Sequence, residues 1–179
     1  MSHFTPASSM ESPRFTGVRT FARLPNVTEL TDVDLAVVGL PFDTGVTYRV
    51  GARFGPEAVR SASVMLRAYN PELKVKPFEV LSCVDYGDAT VYPGFIHESY
   101  ESMTRTVQTL AEAGVIPLDI GGDHSIALAE LRALAAVHGK ATLLGLPALI
   151  LRFIDPDLLD GTGYATVEEF AASPGFLPV

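Results

Sequence analysis

The sequence contains only one cysteine, Cys83, among its 179 residues. No disulfide can therefore form within the chain, which favours a reducing compartment. The neighbours of Cys83 include the apolar residues Val80, Leu81 and Val84. We therefore predict an inert thiol that lies in the core.

Basic residues are also few, since 13 Lys and Arg stand against 21 Asp and Glu and give a formal net charge of -8 at pH 7. Nucleic acids and anionic membranes attract basic patches, so this balance argues against both of them as the main partner. A small cationic substrate suits an acidic protein better.

Long apolar runs are scarce as well. The longest, residues 141–150, contains Pro147 and is shorter than the ~20 residues that a membrane-spanning helix needs. Residues 1–13 lack the apolar centre of a secretion signal, so we expect a flexible N-terminal tail there and a cytoplasmic protein. Because 47% of the residues are hydrophobic, the chain can form one globular domain with a sizeable core.

The chain does contain apolar runs of strand length that alternate with amphipathic runs of helical period. These patterns predict strands at residues 33–40, 77–84 and 115–120, and helices at residues 55–69, 98–113 and 126–138. The alternation predicts an α/β fold with a parallel sheet. The run at 115–120 lacks polar alternation, as is typical of a strand that is buried on both faces.

A turn with reactive side chains follows the third predicted strand. Gly121 and Gly122 allow a sharp turn at the carboxyl end of the strand, where open α/β sheets bind their ligands. Asp123 and His124 come next and are candidates for one half of a metal site, because imidazole and carboxylate groups are common metal ligands. Alternatively, His124 bonds to a neighbouring loop and Asp123 accepts hydrogen bonds from turn amides.

A long loop with three glycines, residues 41–55, follows the first predicted strand. Loops of this length inside a compact domain are often functional. Asp43, Tyr48 and Arg49 are the candidate substrate-binding residues: the ring of Tyr48 can stack on a guanidinium, and the carboxylate of Asp43 can pair with a cation. The alternative is that Arg49 and Arg53 only pin the loop to neighbouring carboxylates.

Taken together, these motifs resemble the ureohydrolase superfamily, the group that includes arginase and agmatinase. The resemblance is closest to its agmatinase and guanidinobutyrase branch. It extends over roughly residues 12–139, and the motifs occur in the order of the family. The matching stretches are residues 12–17, 20–25, 39–45, 48–56, 84–88 and 121–125.

The resemblance implies a three-layer α/β/α fold, an oligomer, and a site with two manganese ions. In this family the ions activate a bridging hydroxide that attacks a guanidinium carbon and releases urea, so the expected substrate is agmatine or 4-guanidinobutyrate. By position, His124 resembles one of the two histidine ligands. The motif Asp-Ala-His-x-Asp, which supplies further ligands in the family, does not occur in this sequence.

The segment after Gly139 departs from the family pattern. Asp155 and Asp157 resemble a later Asp-x-Asp pair of metal ligands, which would mean that an internal piece is missing. Alternatively, residues 140–179 are divergent or misjoined sequence, and residues 14–139 form the N-terminal part of an incomplete arginase-like domain.

Two functions follow from this reading. The chain is either an amidinohydrolase with impaired catalysis and at most partial metal binding, or a non-catalytic fragment that associates with full-length paralogues. A nucleotide or phosphate site is disfavoured, because both the Gly-x-Gly-x-x-Gly and the Walker patterns are absent.

Overall fold

The computed structural model describes residues 3–139. This part of the chain contains a three-stranded parallel sheet in the order β2-β1-β3, together with helices that precede or follow the strands. The elements are β1 (Leu35–Leu40), α1 (Gly55–Ser63), α2 (Pro77–Val80), β2 (Cys83–Asp88), α3 (Ile96–Glu112), β3 (Ile116–Gly121) and α4 (Ile126–His138). The predicted α/β class and the parallel sheet are confirmed.

The core lies on both faces of β1. On one face, Ala36 packs with Leu110 of α3, and Leu40 packs with residues of both α3 and α4, including Met103 and Ala129. On the other face, Val37 packs with residues of the segment that precedes β1 (residues 3–34, the N-terminal segment), of α2 and of β2, and the set is Phe21, Leu24, Phe78 and Cys83. Helices therefore cover one face, and the N-terminal segment with α2 covers much of the other.

Cys83 belongs to this core, since only 2% of its surface is exposed. Burial raises the pKa of its thiol, so the reactive thiolate is disfavoured. The prediction of an inert core thiol is supported by this environment.

Two predicted elements were wrong in extent. The helix predicted over 55–69 ends at Ser63, where the Ser63 hydroxyl donates to Arg60 O and accepts a bond from Ala22 N. Side-chain bonds of this kind compete with the continuing helix. The strand predicted over 77–84 begins only at Cys83, because Pro77 starts the short helix α2 in the position where proline fits best.

The expectation that residues 115–120 are buried on both faces was also wrong for the described part. Ile116 is 59% exposed and Leu118 is 43% exposed. The sheet of the described residues ends at β3, so no strand in that part of the chain pairs with the outer edge of β3.

The described part of residues 1–13, where a flexible tail was expected, forms hydrogen bonds to the rest of the fold. Phe4 N donates to Ser82 Oγ at 3.0 Å, and Cys83 N donates to Phe4 O at 3.0 Å. Ala7 N donates to Arg23 O at 3.0 Å. The described part of residues 1–13 is therefore held at the start of β2 through Phe4 and at Arg23 through Ala7. No helix in the described range is long and apolar enough to cross a membrane.

A buried arginine joins α1 to β2. The guanidinium of Arg60 donates to both carboxylate oxygens of Asp85, at 2.8 and 2.9 Å, to Asp88 at 2.5 Å and to Gly87 O at 2.9 Å. Asp85 also accepts a bond from Phe21 N at 2.7 Å, which adds the N-terminal segment to the network. Such a fork-shaped contact fixes orientation as well as distance.

Replacing Arg60 by Ala is expected to destabilise the chain by about 3 kcal/mol, because it leaves the buried Asp85 carboxylate without its cation. Urea denaturation would measure this loss. The matched control is Arg67→Ala, which removes an exposed arginine just after the same helix and should cost less than about 0.5 kcal/mol. Equal effects of the two substitutions would contradict the role assigned to Arg60.

Candidate active site

The turn after β3 is fastened to the end of β1. Gly122 N donates to Leu40 O at 3.2 Å, and Asp123 N donates to Phe42 O at 2.7 Å. A Cβ atom at position 122 would collide with the backbone of Phe42, so only glycine allows this approach. The carboxyl ends of β1 and β3 are therefore locked side by side, as the sequence pattern predicted.

The carboxylate of Asp123 holds the surrounding backbone. It accepts hydrogen bonds from Gly45 N at 3.2 Å and Ser125 N at 2.9 Å, and it also accepts one from the Ser125 hydroxyl. Ser125 makes no side-chain cap on α4, because its hydroxyl is used by Asp123. Of the two roles considered for Asp123, the structure shows the turn-stabilising one. The side chain of His124 is exposed beside it.

The loop over residues 41–55 is organised around Asp43, which is only 1% exposed. Its carboxylate accepts bonds from Gly51 N at 2.8 Å, Arg53 N at 3.2 Å and Arg53 Nε at 2.5 Å. The hydrogen bond from the Arg53 guanidinium holds the pKa of Asp43 below its usual value. Asp43 is therefore paired within the loop, as the alternative for Arg53 proposed, and its carboxylate does not face solvent.

Tyr48 and Arg49 lie on the outer part of the same loop. Tyr48 is 74% exposed, and the guanidinium carbon of Arg49 lies 5.2 Å from the centroid of its ring. This distance is that of a cation–π contact. The ring of Tyr48 thus already binds a guanidinium, which belongs to its own chain.

The structure brings the loop and the turn together, since Gly45 of the loop bonds to Asp123 of the turn. Both emerge at the carboxyl ends of parallel strands, where α/β proteins place their ligands. Within residues 3–139, however, no group of three or more His, Cys, Asp or Glu side chains is arranged to hold a metal. The described donors therefore do not make a manganese site by themselves. Asp155 and Asp157 lie outside the described residues.

Sequence reasoning missed Asp119, a carboxylate inside the apolar run of β3. Both of its carboxylate oxygens are buried and have no hydrogen-bond partner among the described residues. Burial, with a smaller effect of the neighbouring Glu130, raises the pKa of Asp119 to about 7. The signal that could have revealed it was a single acid in a strand that is otherwise apolar.

Replacing Asp119 by Asn is expected to change how stability depends on pH. The folded pKa of about 7 lies above the ordinary value of 3.8, so the folded chain binds this proton more tightly than the unfolded chain does. The parent protein therefore loses stability, up to about 4 kcal/mol, as the pH rises through that window, with no further loss above it.

Thermal melts from pH 4 to 8 should show the Tm of Asp119→Asn rising relative to the parent and then levelling off. The exposed control Glu101→Gln should show no such trend. A constant difference between Asp119→Asn and the parent at all pH values would contradict the assignment.

Comparisons with known proteins identify the family of the chain. The sequence model of the Arginase family matches residues 33–148, and the chain belongs to this family. Guanidinobutyrase from Pseudomonas aeruginosa is 39% identical over 146 residues, which cover 80% of this chain and 46% of that protein. Mitochondrial guanidino acid hydrolase from Homo sapiens is 39% identical over 147 residues, covering 80% of this chain and 42% of that protein.

Solved structures show the same fold. Proclavaminate amidino hydrolase from Streptomyces clavuligerus superposes with a TM-score of 0.68 at 38% identity, over 72% of this chain and 42% of that one. Formiminoglutamase from Trypanosoma cruzi, whose structure contains Mn2+, gives a TM-score of 0.57 at 29% identity, over 65% of this chain and 39% of that one. The chain thus spans less than half the length of these relatives, and its fold is an incomplete arginase-like one.

Proposed function

We propose that this chain contributes to the hydrolysis of a guanidino compound, agmatine or 4-guanidinobutyrate, to an amine and urea. The observation that carries the proposal is that hydrogen bonds join the loop of residues 41–55 to the turn at residues 121–125. The relatives named guanidinobutyrase and guanidino acid hydrolase support the substrate class. The acidic net charge of the chain also suits a cationic substrate.

The residues of this chain serve the reaction by positioning. Asp43 and Asp123 hold the loop and the turn through backbone amides, so that the exposed ring of Tyr48 and the imidazole of His124 are presented from fixed backbone. In this proposal the ring of Tyr48 binds the guanidinium end of the substrate in place of the Arg49 side chain, and Arg49 binds the carboxylate end of 4-guanidinobutyrate. Asp43 acts through the loop that carries them. No residue of this chain is proposed to act directly as a catalytic acid or base.

Manganese is the cofactor we propose, because the formiminoglutamase structure contains it. The resemblance of residues 121–125 to the family motif makes His124 the proposed histidine ligand. The metal would supply an activated water for attack on the guanidinium carbon. The described residues offer too few donors, so further ligands have to come from elsewhere. Asp155 and Asp157 stay candidates in this role, and residues 140–179 stay a proposed divergent segment.

The isolated chain is therefore expected to release urea from agmatine or 4-guanidinobutyrate only at the background rate, even with added Mn2+. A coupled urea assay would measure this, with the Pseudomonas aeruginosa guanidinobutyrase as the positive control. Steady turnover by the chain alone that is abolished by His124→Ala would contradict the expectation of impaired catalysis.

The role of Tyr48 can be measured in a chimera in which residues 1–139 replace the matched region of that guanidinobutyrase. Tyr48→Ala should raise KM roughly 3- to 30-fold with little change in kcat, because it removes a cation–π surface for the substrate. Tyr48→Phe keeps the ring and should leave KM within about twofold of the parent chimera. Unchanged KM in Tyr48→Ala would remove Tyr48 from the substrate site.

The second candidate function is that of a non-catalytic fragment that associates with full-length paralogues or with itself. The exposure of Ile116 and Leu118 on β3 favours this candidate, because an apolar sheet edge promotes association. A cytoplasmic location is proposed with it, although some relatives carry the word mitochondrial in their names.

A further inference from the structure

The first turn of α1 lies directly on the sheet. Gly55 packs so closely against Gly121 O of β3 that a Cβ atom at position 55 would not fit. A Cβ atom at Gly39 of β1 would likewise collide with Pro56 Cβ and with the Asp88 carboxylate. The start of α1 is therefore in close contact with the carboxyl ends of β1 and β3.

Arg60 fixes α1 on its third side, towards β2. This residue lies about one turn after Pro56 and is only 8% exposed. Its Nε and Nη2 atoms donate to the buried Asp85 carboxylate, and its Nη1 atom donates to Asp88 at 2.5 Å. Because the donors of a guanidinium group point in fixed directions, two carboxylates of one strand determine how α1 is placed and rotated.

The end of the loop over residues 41–55 is continuous with α1. The short 3-10 helix Ala52–Phe54 leads directly into α1. Beside it, Gly51 N and Arg53 N both donate to the Asp43 carboxylate, at 2.8 and 3.2 Å. A shift of α1 would therefore move these two amides, and with them the adjoining part of the loop that carries Tyr48.

The start of the same loop is held in a different way. Phe42 O accepts a hydrogen bond from Asp123 N at 2.7 Å, and Gly45 N donates to the Asp123 carboxylate at 3.2 Å. These bonds go to the turn after β3 and do not involve α1. Tyr48 and Arg49 lie between the two fixed ends, so their position depends on where α1 stands relative to the turn.

We propose that Arg60 is a positioning residue for the candidate site. By fixing α1 against Asp85 and Asp88, it sets the end of the 41–55 loop and thereby the place of the Tyr48 ring. The consequence for substrate binding rests on the proposed function, whereas the effect on the loop rests on the contacts of α1 alone. Arg60 itself does not touch the substrate.

Hydrogen exchange in the full chain tests the effect on the loop. Arg60→Lys keeps the positive charge but has one nitrogen, which cannot bond to Asp85 and Asp88 in the same directions. The amides of Gly51 and Arg53 should therefore exchange about tenfold faster or more than in the parent, through local opening of the loop end. The amide of Gly45, at the loop start, should stay within about twofold and serves as the internal control.

Leu110→Ala separates positioning from a general loss of stability. Leu110 is fully buried on α3 and packs with Ala36 near the start of β1, at the opposite end of that strand from the loop. Its truncation weakens the core without touching α1. Under conditions in which both variants stay folded, Leu110→Ala should leave the exchange of the Gly51 amide within about twofold of the parent. Equal acceleration in the two variants would overturn the positioning role.

Asp88→Ala keeps the test decisive if Arg60→Lys does not fold. The Asp88 side chain is 44% exposed, so its removal should cost less stability than a change at the buried arginine. It deletes one of the two carboxylates that orient Arg60, and the Gly51 and Arg53 amides should again exchange faster, by a smaller factor. Unchanged exchange in Asp88→Ala would contradict the proposal.

Kinetics of the guanidinobutyrase chimera described above connect the loop to the substrate. Arg60→Lys should raise KM for 4-guanidinobutyrate roughly threefold or more with kcat within about twofold, whereas Leu110→Ala should change neither beyond about twofold. Faster loop exchange with an unchanged KM supports the positioning of the loop and contradicts its proposed part in substrate binding. Exchange decides the positioning role in every case, because it requires no activity.

Discussion

Two backbone hydrogen bonds, from Gly122 N to Leu40 O and from Asp123 N to Phe42 O, determine the geometry of the candidate site. They join the ends of two parallel strands at the point where both turn into loops. Without a side chain at position 122, the two backbones approach closely enough for these bonds to form. The positions of the Asp123 carboxylate, the neighbouring imidazole and the long loop all depend on this contact.

The buried carboxylates in this part of the molecule differ in whether they have hydrogen-bond partners. Asp43, Asp85 and Asp123 each accept several hydrogen bonds from backbone amides or guanidinium groups, so their charge is satisfied inside the chain. Asp119 has no such partner among the described residues. The first three therefore complete a local structure, whereas the fourth is buried without a hydrogen-bond partner in that part of the chain.

Much of the fold could be predicted from the sequence, because apolar runs that alternate with amphipathic ones define strands and helices locally. The turn at Gly121 and Gly122 was predictable for the same reason. The error at residues 77–84 arose because an apolar run of that length fits a strand as well as a helix, and Pro77 decided between them. Arg60 was not singled out, since its partners Asp85 and Asp88 lie more than 20 residues away in the chain. Local sequence patterns do not predict contacts over such distances.

Of the candidate site, the clustering of the loop and the turn was predictable, but the use of each acid was not. The sequence placed Asp43 at a substrate rim, whereas the bonds from Arg53 and Gly51 turn it inwards. Whether a carboxylate faces a ligand or its own loop depends on where the backbone N–H groups lie. The residue types do not reveal these positions. For the same reason, Asp119 was not singled out from the apolar run that surrounds it.

The start of α1 is packed closely against the end of β3: a Cβ at Gly55 would lie 2.6 Å from Gly121 O. Both ends of the loop that spans residues 41–55 are therefore in close backbone contact with the end of β3 and the turn after it, Phe42 with Gly122 and Gly55 with Gly121. Any diversification of ligand preference in this scaffold has to proceed through exchanged side chains at positions such as 48 and 49, because the path of the loop's two ends is sterically fixed.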